Sequence, residues 1–317
     1  AVTVKLHIDG RKTAVNMEKV DEAGFFAALV SSKKKLSYTY SVEKVNGEVT
    51  EYTDSYAFAN VTKPEDYKAF LAGEEKNAAH IFGAHERTVN GVKGVLFNVW
   101  APKALSVSVV GEFNKYDGRV HLMERIEDTG VFELFIPGLA AGCGYMYEIK
   151  RQGKGTTRKL DPVSRQISSV PITASVVSDE NMPDSYAWND GLWMIKRKKE
   201  AGKKKPVTVY EVSLTDWLKE KSADELVDFV KQEGYTHVCF LPVAEYLNEE
   251  MNGYSTLGYF AVTHRTGGSD AFKKLVDDCH NAGIGVIIDW NGAYFGTEVK
   301  GLYDFDGADA YGYLKPS

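Results

Sequence analysis

At 317 residues, with 44% hydrophobic and 26% charged side chains, the chain has the composition of an ordinary globular protein with room for two or three domains. A formal net charge of −6 excludes a general nucleic-acid binder, which needs a net basic face to neutralise phosphates. No apolar run reaches the roughly 18 to 20 residues that cross a bilayer, so no membrane partner is expected.

Cys143, Cys239 and Cys279 are widely spaced and form no C-x-x-C pair, which argues against a disulfide framework or a zinc site. They read as buried thiols of a reducing, cytoplasmic compartment, and neither metal nor cofactor is expected. Ala1-Val-Thr-Val-Lys5 has no signal-peptide pattern, and a start on Ala1 in place of methionine reads as a processed or engineered terminus.

The first half repeats itself. Met17-Glu-Lys-Val-Asp-Glu-Ala-Gly-Phe-Phe26 parallels Met123-Glu-Arg-Ile-Glu-Asp-Thr-Gly-Val-Phe132 at an offset of 106 positions (123 − 17). One residue later in register, Tyr38-x-Tyr40 and Asp54 parallel Tyr145-x-Tyr147 and Asp161. Period-2 alternation with turns between short runs predicts two β-sandwich modules: Leu36 to Val42 and Val49 to Tyr52 around Asn46-Gly47, then Val95 to Trp100, Ser106 to Val110, Val131 to Ile136 and Tyr145 to Lys150. Between the copies, Pro64 and the acids behind it predict a helical start.

Residues 196 to 205 hold seven Lys or Arg, read as a solvated linker at a domain boundary. Beyond it the pattern changes to strand Val207–Ser213, a helix capped by Ser222, strand Thr236–Val243, a helix capped by Ser269, and strand Gly285–Asp289. Alternating strands and helices with short links predict a parallel sheet. An apolar strand that ends in a carboxylate, as Val286-Ile-Ile-Asp289 does, is a common way for such a sheet to deliver chemistry. His237 and His280 sit on scaffold positions and read as structural. Asp304-x-Asp306-Gly-x-Asp309 lacks the order of a calcium loop and reads as a solvated acidic loop.

Two sets of phrases carry a family resemblance. Phe97-Asn-Val-Trp-Ala-Pro-Lys-Ala104 and Gly111-Glu-Phe-Asn-Lys-Tyr116 resemble the family 48 carbohydrate-binding modules of starch and glycogen enzymes. Tyr210-Glu-Val, Leu241-Pro-Val-Ala-Glu245, Gly258-Tyr-Phe260, Gly283-Ile-Gly-Val-Ile-Ile-Asp-Trp290 and Phe305-Asp-Gly307 are similar to the 1,4-α-glucan (glycogen) branching enzymes of glycoside hydrolase family 13. The resemblance implies two immunoglobulin-like β-sandwich modules followed by a partial (β/α) TIM-barrel segment of three β-α units. The implied divisions are 1–62, a degenerate carbohydrate-binding-like sandwich; 63–84, a helical connector; 85–185, the glycogen/starch-binding sandwich; 186–206, the basic linker; and 207–317, the first three strands of a barrel.

For the sandwich, the resemblance makes Asn114 and Tyr116 the glucan-binding candidates, with Tyr116 where the family usually has Trp, and Trp100 a core residue. The competing reading is that these residues only build the sandwich. For the barrel, Tyr254, Asp289 and Tyr294 are the remnants of a sugar site. Ser213, Tyr246, Ser255 and Tyr294 stand where the family carries three histidines and a glutamine, and the family's catalytic Asp, Glu and Asp on later strands are absent. The resemblance therefore implies an α-glucan-binding protein with no catalytic residue in this chain, partnered by glycogen, starch or malto-oligosaccharide. The alternative is the N-terminal portion of an active branching enzyme, a retaining transferase. In either case the open barrel edge predicts a homodimer or a covering partner.

Overall fold

The computed structural model describes residues 3–8, 13–33, 36–76, 78–169, 172–178, 186–292, 295 and 300–308. The first copy consists of β1 (Thr3–Ile8), β2 (Val15–Lys19), β3 (Phe26–Ala27), β4 (Tyr38–Glu43) and β5 (Val49–Tyr52), arranged as one sheet in the order β3-β2-β1-β4-β5. A two-layer sandwich was expected for residues 1–62, but its described residues supply a single layer. Its apolar side chains Val20, Phe25 and Leu29 are accordingly 61%, 67% and 99% exposed.

The connector coils only briefly, as a 3-10 turn at Pro64–Tyr67 and then α1 (Lys68–Leu71). Gly73, at φ +73°, ends it by donating to Phe70 O at 2.9 Å. Tyr67 is fully buried and stacks on Phe82 at 5.7 Å, which pins the connector to the second copy.

That copy runs β6 (Gly83–Val89), β7 (Val92–Trp100), β8 (Ala104–Gly111), β9 (Glu124–Arg125), β10 (Val131–Pro137), β11 (Gly144–Arg151), β12 (Gly155–Lys159), β13 (Ile167–Ser168) and β14 (Ala174–Val176). One layer is β6-β7-β10-β9; the other is β12-β11-β14-β13, with β8 on the free side of β11. The repeat survives in the pairing. Lys19 faces Phe26 as Arg125 faces Phe132, and Tyr40 faces Tyr52 as Tyr147 faces Lys159. Val20 N donates to Phe25 O, and Ile126 N to Val131 O, both at 2.8 Å. The layer built on β6 and β7 has no counterpart among the described residues of the first copy. Here it buries Phe97, Val99 and Val95 against Tyr145, Tyr147 and Val109.

Residues 186–206 correct a second expectation. The basic run is half helix, α2 (Gly191–Glu200), because Trp193 stacks on His280 at 3.7 Å while His280 Nδ1 donates to Asp190 at 2.7 Å. Contact with the next unit orders what composition alone reads as a linker, and His280 is structural.

The third unit contains β15 (Val209–Val212), α3 (Leu214–Trp217), α4 (Ala223–Gln232), β16 (His237–Phe240), β17 (Ala244–Tyr246), β18 (Thr256–Val262), α5 (Gly268–Asn281) and β19 (Gly285–Ile288). β15, β16 and β19 form a parallel sheet in that order, and β17 pairs β18 antiparallel beside it. Ser222 caps α4 through a reciprocal box: Glu225 N donates to Ser222 Oγ at 3.2 Å and Ser222 N to Glu225 Oε2 at 2.7 Å. Leu226, Val230 and Leu275 of α4 and α5 bury against Val238 and Phe240 of the central strand.

α5 starts at Gly268 after Gly267, at φ +85°, so Ser269 lies inside the first turn and is not its cap. The acidic loop is not solvated either. Asp306 is 1% exposed and accepts from Lys103 N at 2.9 Å, while Asp304 pairs with Arg151 at 2.7 Å. Asp309 lies outside the described residues.

Candidate functional site

Two places hold the candidate residues. The first is the loop after β8, where Lys115 and Tyr116 both adopt left-handed backbone, at φ +54° and +58°. Such conformations need over-determination by their surroundings. Asn114 supplies it. Its Oδ1 accepts from Gly111 N at 3.0 Å, and its Nδ2 donates to Val109 O at 2.8 Å and His121 Nδ1 at 3.0 Å. Burial holds the His121 imidazole below its ordinary pKa, which keeps that nitrogen an acceptor. Asn114 is itself buried, with its amide committed inward. Those contacts shape the loop.

Tyr116 is placed differently. The Arg158 guanidinium lies over its ring at 5.7 Å, and Arg158 Nη2 donates to Tyr116 O at 2.9 Å. The half-buried ring packs on Met146, Leu160 and Ile167, and it borders a cleft of ≈ 660 Å³. Phe113, Glu112, Gln166, Ser168 and Ile172 are among the other residues that line it. Two rings beside a carboxylate, an amide and a hydroxyl match a sugar, which has one apolar face and a rim of hydroxyls. Phe113 and Glu112 were within reach of the sequence, inside the Gly111 to Tyr116 phrase. Gln166 and Ser168 carry no local signal, because a separate strand brings them in.

The second place is the C-terminal end of the parallel sheet. Val212, Phe240 and Ile288 lie side by side in register, and Asp289 N donates to Phe240 O at 2.9 Å. Tyr254, on the loop before β18, donates its hydroxyl to Asp289 Oδ2. That bond, and then burial, pushes the Tyr254 hydroxyl up to about 12. The structure thus brings together Tyr254 and Asp289; Tyr294 lies outside the described residues.

The three departures that are described hold the fold. Ser213 Oγ accepts from Asp216 N at 3.3 Å as the cap of α3, Ser255 is fully buried, and Tyr246 packs its ring under Arg265 at 4.5 Å. Glu245, 2% exposed, accepts from Arg265 Nη1 at 2.8 Å, His264 N at 3.0 Å and Thr263 Oγ1 at 3.2 Å. It ties β17 to the end of β18. Among the described residues, no cluster of three or more His, Cys, Asp or Glu is placed to hold a metal.

Residues 81–164, which carry the Tyr116 loop, match Carbohydrate-binding module 48 (Isoamylase N-terminal domain). That stretch forms most of the second module, which is similar to this family over those residues. Almost the whole chain is in turn similar to 1,4-alpha-glucan branching enzymes. It is 38% identical over 311 residues to the GlgB enzyme of Methylococcus capsulatus, covering 95% of this chain and 42% of that one. It is 39% identical over 296 residues to the Nitrosococcus oceani enzyme, covering 89% and 39%. A solved Salmonella typhimurium structure of the alpha-amylase type aligns with 23% identity and a TM-score of 0.48, over 73% of this chain and 40% of that chain. The chain is a relative of the branching enzymes, and it spans 42% of the length of the first of them.

Proposed function

We propose that this chain associates with α-glucans, such as glycogen, starch or malto-oligosaccharides, through the cleft beside Tyr116, and that it has no catalytic group of its own. The observation that carries this reading is the cleft itself: Tyr116, Phe113 and Glu112 on the stretch that matches the carbohydrate-binding family, with Gln166 and Ser168 just beyond it. The functional divisions are the connector at 63–84, the binding module at 85–185, the junction at 186–206 and the parallel-sheet unit from 207 onward, and the compartment is the cytoplasm. Tyr254 and Asp289 are the remnant of a sugar site at the sheet's end, to which the family resemblance adds Tyr294. Retaining glycosyl transfer needs two carboxyl groups about 5 Å apart across the bond. Asp289 serves here as the acceptor for Tyr254. Purified chain incubated with amylose should produce no branches by iodine staining and chain-length analysis, and turnover above a buffer control overturns the non-catalytic part.

A second reading, the N-terminal portion of an active branching enzyme, is favoured by one observation. The sheet leaves Ile287, Ile288 and Trp290 exposed at 40%, 45% and 63%, the apolar surface that further strands, a second copy or a partner would cover. Sedimentation of the purified chain separates these cases: a dimer favours self-covering. Co-sedimentation with glycogen tests the binding claim itself.

A further inference from the structure

The core of the second module contains side chains that follow the parallel sheet. Leu302 and Phe305 are 4% and 1% exposed and join Phe97, Tyr147 and Ile149 in one cluster. Around them, Leu160 N donates to Lys300 O at 3.0 Å and Lys159 Nζ to Tyr303 O at 2.8 Å. Arg151 Nη1 reaches Asp304 Oδ2 at 2.7 Å across 153 positions of sequence, and Lys154 Nζ reaches Asp304 Oδ1 at 2.8 Å. Asp304 takes left-handed backbone, at φ +50°, to make these contacts.

Domain interfaces inside one chain are ordinarily polar and join outer surfaces, so the modules slide or hinge. Here the apolar residues enter the sandwich between its layers. A second contact acts on the opposite side of the same strand: Leu257 and Ala261 of β18 pack on Met146, Leu160 and Ile167. Leu160 takes part in both, with its side chain on β18 and its amide on Lys300. β18 begins two residues after Tyr254, the partner of Asp289.

We propose that residues 300–308 are a strap that locks the second module onto the parallel-sheet unit, so that the module is a fixed scaffold for the Tyr254 and Asp289 end of the sheet and not a tethered binding domain. The strap makes one body of the two units, and it fixes where anything held beside Tyr116 stands relative to Asp289.

Hydrogen exchange followed by mass spectrometry on the full chain, without any sugar, tests this. Phe305→Ala should lose at least about tenfold protection in Tyr145 to Ile149 and also in Gly285 to Ile288, whereas Phe305→Leu should retain it. Loss confined to residues 300–308, or no loss, overturns the proposal. Should Phe305→Ala fail to fold, Asp304→Asn leaves the apolar contacts in place and should show a smaller loss in the same two segments. An unchanged Asp304→Asn profile then overturns it. No sugar enters the measurement, so its outcome is separate from that of the glucan reading.

Discussion

Tyr145 donates its hydroxyl to Asp161 Oδ2 at 2.6 Å in the second module, and the first copy repeats the bond between Tyr38 and Asp54 at 2.9 Å. The companions repeat as well: Tyr147 and Tyr40 point at the same carboxylates, and Val163 N and Tyr56 N donate to the other oxygen at 2.9 and 3.0 Å. What differs is the cover. Asp161 is 2% exposed beneath the second layer, which the described part of the first copy lacks.

Removing one donor from a fully buried carboxylate costs about 1–3 kcal/mol, whereas water replaces it at an open site. Tyr145→Phe should therefore destabilise by about that much, and Tyr38→Phe by less than about 0.5 kcal/mol. Urea denaturation of both variants checks the order, and equal effects would mean that the covering layer makes no difference to the bond.

Glu133 makes a second testable clamp. It is 1% exposed and accepts from Val61 N at 2.6 Å, Thr62 N at 3.2 Å, Asn98 Nδ2 at 3.3 Å and the Thr62 hydroxyl. Glu133→Ala strands the buried Asn98 amide and frees the Val61 and Thr62 donors, and it should cost about 1–3 kcal/mol and open the chain to protease near Thr62. Wild-type resistance at that bond contradicts the clamp.

Lys159 gives the strap a pH dependence. Burial, and then Arg151, push its ammonium down to about 8, with Asp304 opposing. The groups around it are Arg151, Lys154 and Asp304, with the carbonyl of Tyr303 as its acceptor. Between about 8 and the ordinary 10.5 the folded chain binds fewer protons at this site than the unfolded one, so this site's contribution to stability rises with pH across that window. The limiting slope is about 1.4 kcal/mol per pH unit. Lys159→Met should flatten the difference, read as the denaturation midpoint of both proteins against pH.

Tyr254 is pushed up to about 12, first by its bond to Asp289. Asp289→Asn removes that charged acceptor, so the hydroxyl should ionise closer to the ordinary value of 10.0. Difference absorbance between the two proteins during alkaline titration reads the shift, and its absence would mean the pair does not form.

Much of this was legible because it is local. Ser222 and Glu225 stand at capping-box spacing, the apolar runs before Phe240 and Asp289 marked two of the three parallel strands, and the twin phrases around Tyr38 and Tyr145 marked the repeat. Contacts distant in sequence were not legible. Asp304 and Asp306 look solvated until Arg151 and Lys154 reach the first, and the Lys103 amide the second, from the other half of the chain. The basic run looked like a linker because Trp193 finds His280 only after folding. Asn114 and Tyr116 sit two positions apart in one phrase, and only the backbone conformation determines which of them faces the cleft.

If the face beside Tyr116 holds α-glucan, affinity electrophoresis in glycogen-containing native gels will register it. Wild-type chain should be retarded relative to a glycogen-free gel, Tyr116→Trp should be retarded at least as much because its stacking face is larger, and Tyr116→Ala should migrate as though no glycogen were present. Unretarded wild type, or a Tyr116→Ala chain retarded as strongly as wild type, would contradict the account.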